Sequence, residues 1–241
     1  AHAGVRGLID FAKVDWQRSM WKALGDFFKT PELRQLFGRY ATYYGSSPFL
    51  APATLNLIAH VERAGVHRVR GGMYRLAQAL QDLALELGVE IRCSAPVRSV
   101  RVHDGRIDGV ELDGETIPCR QLVFCGAASA LTGGHLGDDV RLALGKKAVR
   151  KPAERSLSAV TFSTVAETSG ATLAHHSVFF SDDYRAEFNA LVGQREIPST
   201  PTVYICAQDR VEDRLAVEGP ERLLVLVNAP PTGDTRDFER E

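Results

Sequence analysis

Between Met73 and Leu87 the apolar residues recur three and four positions apart. Met73, Leu76, Ala77, Leu80, Leu83, Ala84 and Leu87 share one side, while Gln78, Gln81, Asp82 and Glu86 take the other. This spacing predicts a helix with one face to bury, stopped at Gly88 by a residue free to take positive φ. The period then falls to two: Val89 and Ile91 alternate with Glu90 and Arg92, and Val100 and Val102 with Ser99, Arg101 and His103, as in half-buried strands. Asp104-Gly105 and Asp113-Gly114 are hairpin turns. A short strand from Val66 precedes Gly71-Gly72, and a last strand, Leu122 to Cys125, runs into Gly126, Ala127, Ala128 and Ser129. Small residues at that corner let a backbone approach a ligand closely. The chain is organised around this unit of helix and β-meander, Val66 to Gly126.

On the N-terminal side, Leu8 to Phe28 reads as a helix rich in aromatic residues: Phe11, Trp16, Trp21, Phe27 and Phe28. It is open to two readings, a helix packed on its neighbours or an interfacial helix touching a membrane beside Lys13, Arg18, Lys22 and Lys29. Thr30-Pro31-Glu32 starts a second helix, with Thr30 as N-cap and Pro31 first in the helix, ending near Gly45. Ser46-Ser47-Pro48 is a turn, and Ala51-Pro52 opens a third helix striped by Leu55, Ile58 and Ala59. Beyond Pro152 the pattern is of strands, Leu157–Val165, Ser177–Phe180, Thr202–Ala207 and Arg222–Asn228, with one helix capped by Ser181 and turning Phe188, Leu191 and Val192 inward. The loops are too short for regular βαβ crossovers, so the sheet is expected to be mostly antiparallel.

Composition narrows the class. With 241 residues, 44% hydrophobic and 24% charged, the chain is long enough for one large or two small cores. A formal net charge of -1 gives no electrostatic reason to expect nucleic acid. Leu136 to Arg155 reads as helical and basic around Lys146, Lys147, Arg150 and Lys151, a solvated surface. The four cysteines, Cys93, Cys119, Cys125 and Cys206, have no metal-like spacing and are expected to be reduced and buried, as in a cytosolic protein. No metal site is expected: His175-His176 has no acid or thiol at ligand spacing, and neighbours on a strand point to opposite faces. Asp182, Asp183 and Glu187 suit a capped helix better than an acid/base pair, and no catalytic residue stands out.

Four stretches carry a resemblance. The run from Gly71-Gly72-Met73 through Ala95-Pro96-Val97 to Leu122-Val123-Phe124 resembles the inner segment of the flavin amine-oxidase superfamily. The segment RYATYYGSSPFLAPATLNLI before it, with HHSVFFSDDYRAEF and PTVYICAQDR after it, is similar to phytoene-desaturase-type carotenoid desaturases, most of all their hydroxyneurosporene and methoxyneurosporene branch. The resemblance covers nearly the whole chain. It implies an α+β (mixed α/β) fold, with a partial FAD-domain β-meander and helix joined to a substrate domain of mostly antiparallel sheet and helices. The expected divisions are 1–65, helical substrate-domain part; 66–130, central FAD-domain part; and 131–241, substrate-domain sheet and helices.

The same resemblance implies FAD-dependent 3,4-dehydrogenation of an acyclic 1-hydroxy or 1-methoxy carotenoid. It sets Val97 by its main chain beside the adenine end of FAD, runs Cys125, Gly126 and Ala127 past the cofactor, and puts Tyr43, Tyr44, Gly45 and Phe49 along the substrate tunnel. Flat aromatic walls suit a polyene, which offers dispersion contacts and almost no hydrogen bonds. The strand, G-x-G-x-x-G and helix that set a dinucleotide pyrophosphate on a helix N-terminus are absent from this sequence. The expectation is therefore the middle portion of a longer, cytoplasmic enzyme peripheral to the membrane, which binds FAD poorly by itself. A flavin-dependent isomerase without net oxidation and a non-catalytic lipid-binding domain remain alternatives.

Overall fold

A computed structural model of the chain describes residues 15–145, 155–170, 172–210, 217–233 and 235–238. Leu8 to Val14 of the expected first helix and the basic cluster Lys146 to Lys151 lie outside them. The chain divides into two compact units, one of residues 1–68 with 156–241 and one of residues 69–155. The described part is mixed α+β with two separate antiparallel sheets, as the residue patterns and the resemblance implied.

In the first unit, helix α1 spans Met20–Phe27, starting later than expected because residues 15–18 are not helical. Its cap is Ser19, whose hydroxyl accepts from the Lys22 N–H, and the first two helical amides are satisfied from outside: Met20 N–H donates to the Ala51 carbonyl and Trp21 N–H to that of Pro48. Those two bonds tie the helix start to the turn at Ser47–Ala51. Met20, Ala23 and Leu24 are buried, and Met20 and Leu24 form a nucleus with Ala41 and Ala51, flanked by Phe28, Phe37, Tyr40 and Leu55. Packing on neighbours is therefore what the buried face of α1 does.

Helix α2, Pro31–Gly38, begins as Pro31 predicts, though the Thr30 side chain makes no capping bond. It gives way to a 3-10 turn at Arg39–Tyr44 that Gly45 ends in the left-handed region at φ 64. A 3-10 turn at Ala53–Asn56 leads into α3, Leu57–Ala64.

The sheet of this unit runs in the order β4 (Ser158–Ala166), β7 (Glu221–Ala229), β6 (Val203–Ala207), β5 (His176–Phe179), every pair antiparallel. All four strands fall within a residue or two of where alternation placed them. Between β5 and β6 lies α7, Tyr184–Phe188, continued by a π-helical turn at Asn189–Gln194. The cap of α7 is Asp183, whose Oδ1 accepts from the Ala186 N–H; Ser181 sits two residues too early and its hydroxyl accepts nothing from the helix. Phe188 and Leu191 are buried as expected, whereas Val192 is exposed, because the π turn shifts the helical phase after Phe188.

In the second unit, α4 spans Tyr74–Glu86. It ends in two bonds, Val89 N–H to the Ala84 carbonyl and Gly88 N–H to that of Leu85, with Gly88 at φ 80: a Schellman motif. The meander β1 (Ser99–His103), β2 (Arg106–Leu112), β3 (Glu115–Pro118) turns at both Asp-Gly pairs. Asp104 and Gly105 both take positive φ, as a primed turn requires. A bulge sets Arg101 opposite Gly109 and Val102 opposite Ile107, leaving Asp108 as the extra residue, and the Arg101 guanidinium bonds its carboxylate at 2.9 Å. Short helices α5 (Ala128–Thr132) and α6 (Asp138–Leu144) follow, and Leu136 completes a small nucleus with Val100 and Val110.

Three expected strands do not form: Val66 onward, Val89–Ile91 and Leu122–Cys125 carry no ladder among the described residues. A strand is stable only as half of a pair. With nothing beside them, these segments leave Val66, Val89, Ile91 and Leu122 exposed, and Val123 is 87% exposed. Two cysteines expected to be buried follow suit, for Cys93 and Cys125 are exposed; all four are free thiols.

One buried carboxylate in the first unit is set against water. Glu187 on α7 is buried, and burial pushes its pKa up, opposed by bonds from the Thr202 N–H at 3.0 Å and hydroxyl at 2.6 Å and by the charge of Arg39. A carboxyl raised in the folded state binds its proton more tightly there than in the unfolded chain, so its contribution is largest at low pH and diminishes as pH rises through the raised value. In urea titrations, the stability of wild type relative to Glu187→Gln is expected to fall from pH 5 to pH 7; a difference that grows with pH would show that the carboxylate is stabilised there as an anion.

Candidate functional site

Register decides which side chains share a surface on the four-stranded sheet. Ser163, Leu224, Cys206 and His176 stand in one row across β4, β7, β6 and β5, and Thr161, Leu226, Tyr204 and Val178 in the next. The opposite face carries Ala166, Ile205, Ala207 and Leu223, which pack with Leu173 as a core. The first face is only partly buried and mixes aliphatic, aromatic and imidazole groups.

Tyrosines extend this surface. Tyr43 is 74% exposed and Tyr44 71%, on the 3-10 turn Arg39–Tyr44. Tyr43 lies 6.1 Å from the Tyr40 ring, centroid to centroid, and close enough to Tyr204 to help raise its pKa. Burial is the main cause of that rise in Tyr204, with Cys206 and Tyr43 adding to it. Tyr40, which donates to the Glu62 carboxylate, is pushed up to about 12, first by burial and then by that bond.

The residues expected along a substrate tunnel thus separate. Phe49 belongs to an aromatic nucleus, 4.8 Å from Trp21 and 6.1 Å from Phe188, with the Arg185 guanidinium 4.2 Å above its ring. Gly45 makes a close approach, but to its own chain: its carbonyl accepts from the Leu157 N–H at 2.7 Å, and a Cβ there would stand 2.5 Å from that of Ser156. Tyr43 and Tyr44 alone of the four turn a broad ring to the outside.

At the β5 edge, His175 and His176 meet in a T-shaped contact with ring centroids 4.5 Å apart. His175 precedes β5, so strand alternation does not separate the pair, and Cys206 is the register partner of His176. His175 Nδ1 lies 2.6 Å from the Arg210 carbonyl and His176 Nδ1 2.8 Å from the Tyr204 hydroxyl. Burial, and then the charges of His175 and Arg68, hold the His176 pKa below the ordinary imidazole value.

The Arg210 backbone is fixed by its own side chain. Its guanidinium bonds both carboxylate oxygens of Glu221 at 2.7 and 2.8 Å, the Thr168 hydroxyl at 2.9 Å and the Leu173 carbonyl at 2.8 Å. The histidines were visible in the sequence; Cys206, Tyr204 and Arg210 were missed as their partners, since they come together only across the β5–β6 ladder and its flanking loops.

In the second unit, Val97 is 42% exposed and Cys125 is exposed. Val97 lies just before β1. At Gly126 the space a side chain would take is occupied by the Phe124 ring, 2.4 Å from the position of a Cβ, so the close approach there is made by the protein itself. Ala127 is the residue before the short α5. The sequence holds no glycine-rich pyrophosphate cradle.

Comparison with known proteins agrees with the resemblance. Residues 8–188 match the family described as FAD dependent oxidoreductase. The chain is 46% identical over 237 residues to the hydroxyneurosporene desaturase of Rubrivivax gelatinosus, covering 98% of this chain and 45% of that protein. It is 42% identical to the hydroxyneurosporene desaturase of Rhodobacter capsulatus, over 88% of this chain and 42% of the relative. It is 34% identical to a 1-hydroxycarotenoid 3,4-desaturase of a Flavobacterium species, over 84% and 41%. The chain spans less than half the length of these curated relatives.

Arg210 holds the Glu221 carboxyl below the usual carboxylate range, helped by Thr168. Such a group stabilises the fold above its unfolded pKa, and the contribution is lost as pH falls through the lowered folded value. Glu221→Gln is expected to cost about 2–3 kcal/mol in urea unfolding at pH 7. The gap from wild type should shrink on acidification, the reverse of the trend for Glu187; an unchanged midpoint at pH 7 would mean that the pair supplies no net stability.

Proposed function

The chain belongs to the FAD-dependent oxidoreductase family, and from that premise we propose that it serves the desaturation of an acyclic carotenoid, by 3,4-dehydrogenation of a 1-hydroxy or 1-methoxy substrate in carotenoid biosynthesis. The names of its relatives support the substrate class. One observation of the structure carries the reading: the exposed Tyr43 ring near a sheet face on which Leu224, Leu226 and Val178 flank Tyr204 and offer dispersion contacts to a polyene.

Removing hydrogen from an unactivated hydrocarbon needs an electron sink that side chains lack; bound FAD would supply it as acceptor of a hydride from an allylic carbon, with the neighbouring proton released to water. The residues of this chain bind and orient. Leu224 and Leu226 on β7 and Val178 on β5 flank Tyr204 on β6, an apolar strip that spans three strands, about 10 Å at the usual strand spacing. Tyr43 and Tyr204 face the polyene edgewise or flat and keep water from it. Val97 would meet the adenine side of the cofactor through its main chain.

A substrate that dissolves in lipid has to be reached from a membrane. Among the described residues no helix is long and apolar enough to cross one. Trp16 and Phe27 are exposed on a segment that also carries Lys22 and Lys29, which supports peripheral attachment to a membrane.

The test supplies the protein with FAD and a 1-hydroxycarotenoid in liposomes. The expected product is red-shifted and lighter by two hydrogens; an isomer of unchanged mass, or unchanged carotenoid with flavin bound, would overturn the reading. Tyr43→Ala is expected to lower kcat/KM roughly tenfold, equivalent to about 1.4 kcal/mol of transition-state binding. Because Tyr43 is 74% exposed, its loss should leave the unfolding midpoint nearly in place.

A further inference from the structure

His175, His176 and Cys206 bring three ligand atoms, one ring nitrogen from each histidine and the thiol sulfur, within 4.8 Å of one another. We propose that they form a metal site for a borderline-soft divalent cation, zinc in the first place, clipping the start of the edge strand β5 to β6. Two imidazoles with one thiolate is a donor set that zinc takes in tetrahedral geometry, leaving the fourth position to water or an exogenous ligand. Bonds of about 2.0–2.3 Å set donors some 3.3–3.7 Å apart in a tetrahedron, so small side-chain rotations close the triangle.

The surroundings prepare the donors. The Arg210 carbonyl can only accept, so His175 Nδ1 carries the hydrogen of that 2.6 Å bond and the lone pair of the ring is left on Nε2. That carbonyl belongs to the residue whose guanidinium is locked by Glu221, Thr168 and Leu173, and the Ala207 N–H holds the His175 carbonyl at 2.9 Å. His176 Nδ1 bonds the Tyr204 hydroxyl at 2.8 Å, which in the same tautomer again leaves Nε2 for a metal. Histidine ligands in metal sites have this second bond as a rule, because it fixes tautomer and ring orientation. Cys206 needs no new backbone path, since it is the register partner of His176. On binding, its thiol loses a proton to solvent, so affinity rises with pH. The site rests on these contacts alone and stands apart from the desaturase reading.

Titration of the chain with Co2+, a spectroscopic stand-in for Zn2+, tests it. The expected result is one equivalent bound, with a thiolate-to-cobalt charge-transfer band and intense visible bands of tetrahedral geometry, all displaced by Zn2+. Cys206→Ser should abolish the charge-transfer band, and His175→Gln or His176→Gln should weaken binding tenfold or more. The variant Cys93→Ser/Cys119→Ser/Cys125→Ser should keep the band, which separates this thiol from the other three. Circular dichroism of each variant checks its fold, and Cys206→Ala replaces Cys206→Ser if the serine variant does not fold. Absence of the band in wild type, its survival without Cys206, or binding indifferent to both histidines would overturn the site.

Discussion

The central strand β7 governs the larger unit, because it alone pairs on both sides with long partners: nine residues against β4, Ser158 to Ala166 opposite Ala229 to Glu221, and five against β6. Side chains alternate with a period of two, so a one-residue slip would send Leu224 and Leu226 into the buried core and bring Leu223 and Val225 out. The nine-residue ladder makes such a slip expensive. Everything assigned to the exposed face, from the aliphatic strip to the meeting of His176 with Cys206, follows from that register. At one end the sheet is closed by the Glu221 carboxylate, paired with Arg210 and bonded by Thr168, which also fixes the loop after β6.

The helical corner divides its aromatic residues by the same logic of satisfied neighbours. Phe49 lies within the turn whose Pro48 and Ala51 carbonyls receive the first amides of α1, and its ring packs among Trp21, Tyr184 and Phe188. Tyr43 lies on a short 3-10 turn that is stopped by Gly45, so its ring projects past the nucleus instead of into it. A run of aromatics in sequence thus splits into a structural member and an available one, and the split is set by backbone bonds that the sequence does not display.

Elements whose partners are close in sequence were legible: both hairpins, each joined by an Asp-Gly pair; the stop at Gly88; and the four strands of the larger sheet, whose alternation survives because each found a neighbour. The start of α1 was harder, since residues 15–18 have helical composition yet lie outside the helix that Ser19 caps. The cap of α7 was misplaced by two residues because Ser181, Asp182 and Asp183 are all competent caps, and only geometry selects Asp183. Of the candidate site, Tyr43 and Tyr44 could be named in advance. Tyr204, Cys206 and Arg210 could not, for nothing in the spacing of a β5–β6 connection says which residues will stand opposite the histidines.

The failed strands and the helix that succeeded point to one missing condition. Met73, Leu76, Leu80, Leu83 and Leu87, the stripe that announced α4, are all exposed. A helix of 13 residues is marginal by itself, and burial of a side chain such as leucine contributes about 1.5–3 kcal/mol, so this stripe represents on the order of 10 kcal/mol of burial not realised among the described residues. The segments from Val66, Val89 and Leu122 flank the same helix in sequence and have strand character without a ladder. A sheet beneath α4 would meet both needs at once, pairing the segments edge to edge and receiving the stripe on its face. The amphipathic period and the alternating one are thus two expressions of a single burial requirement, unmet among the described residues.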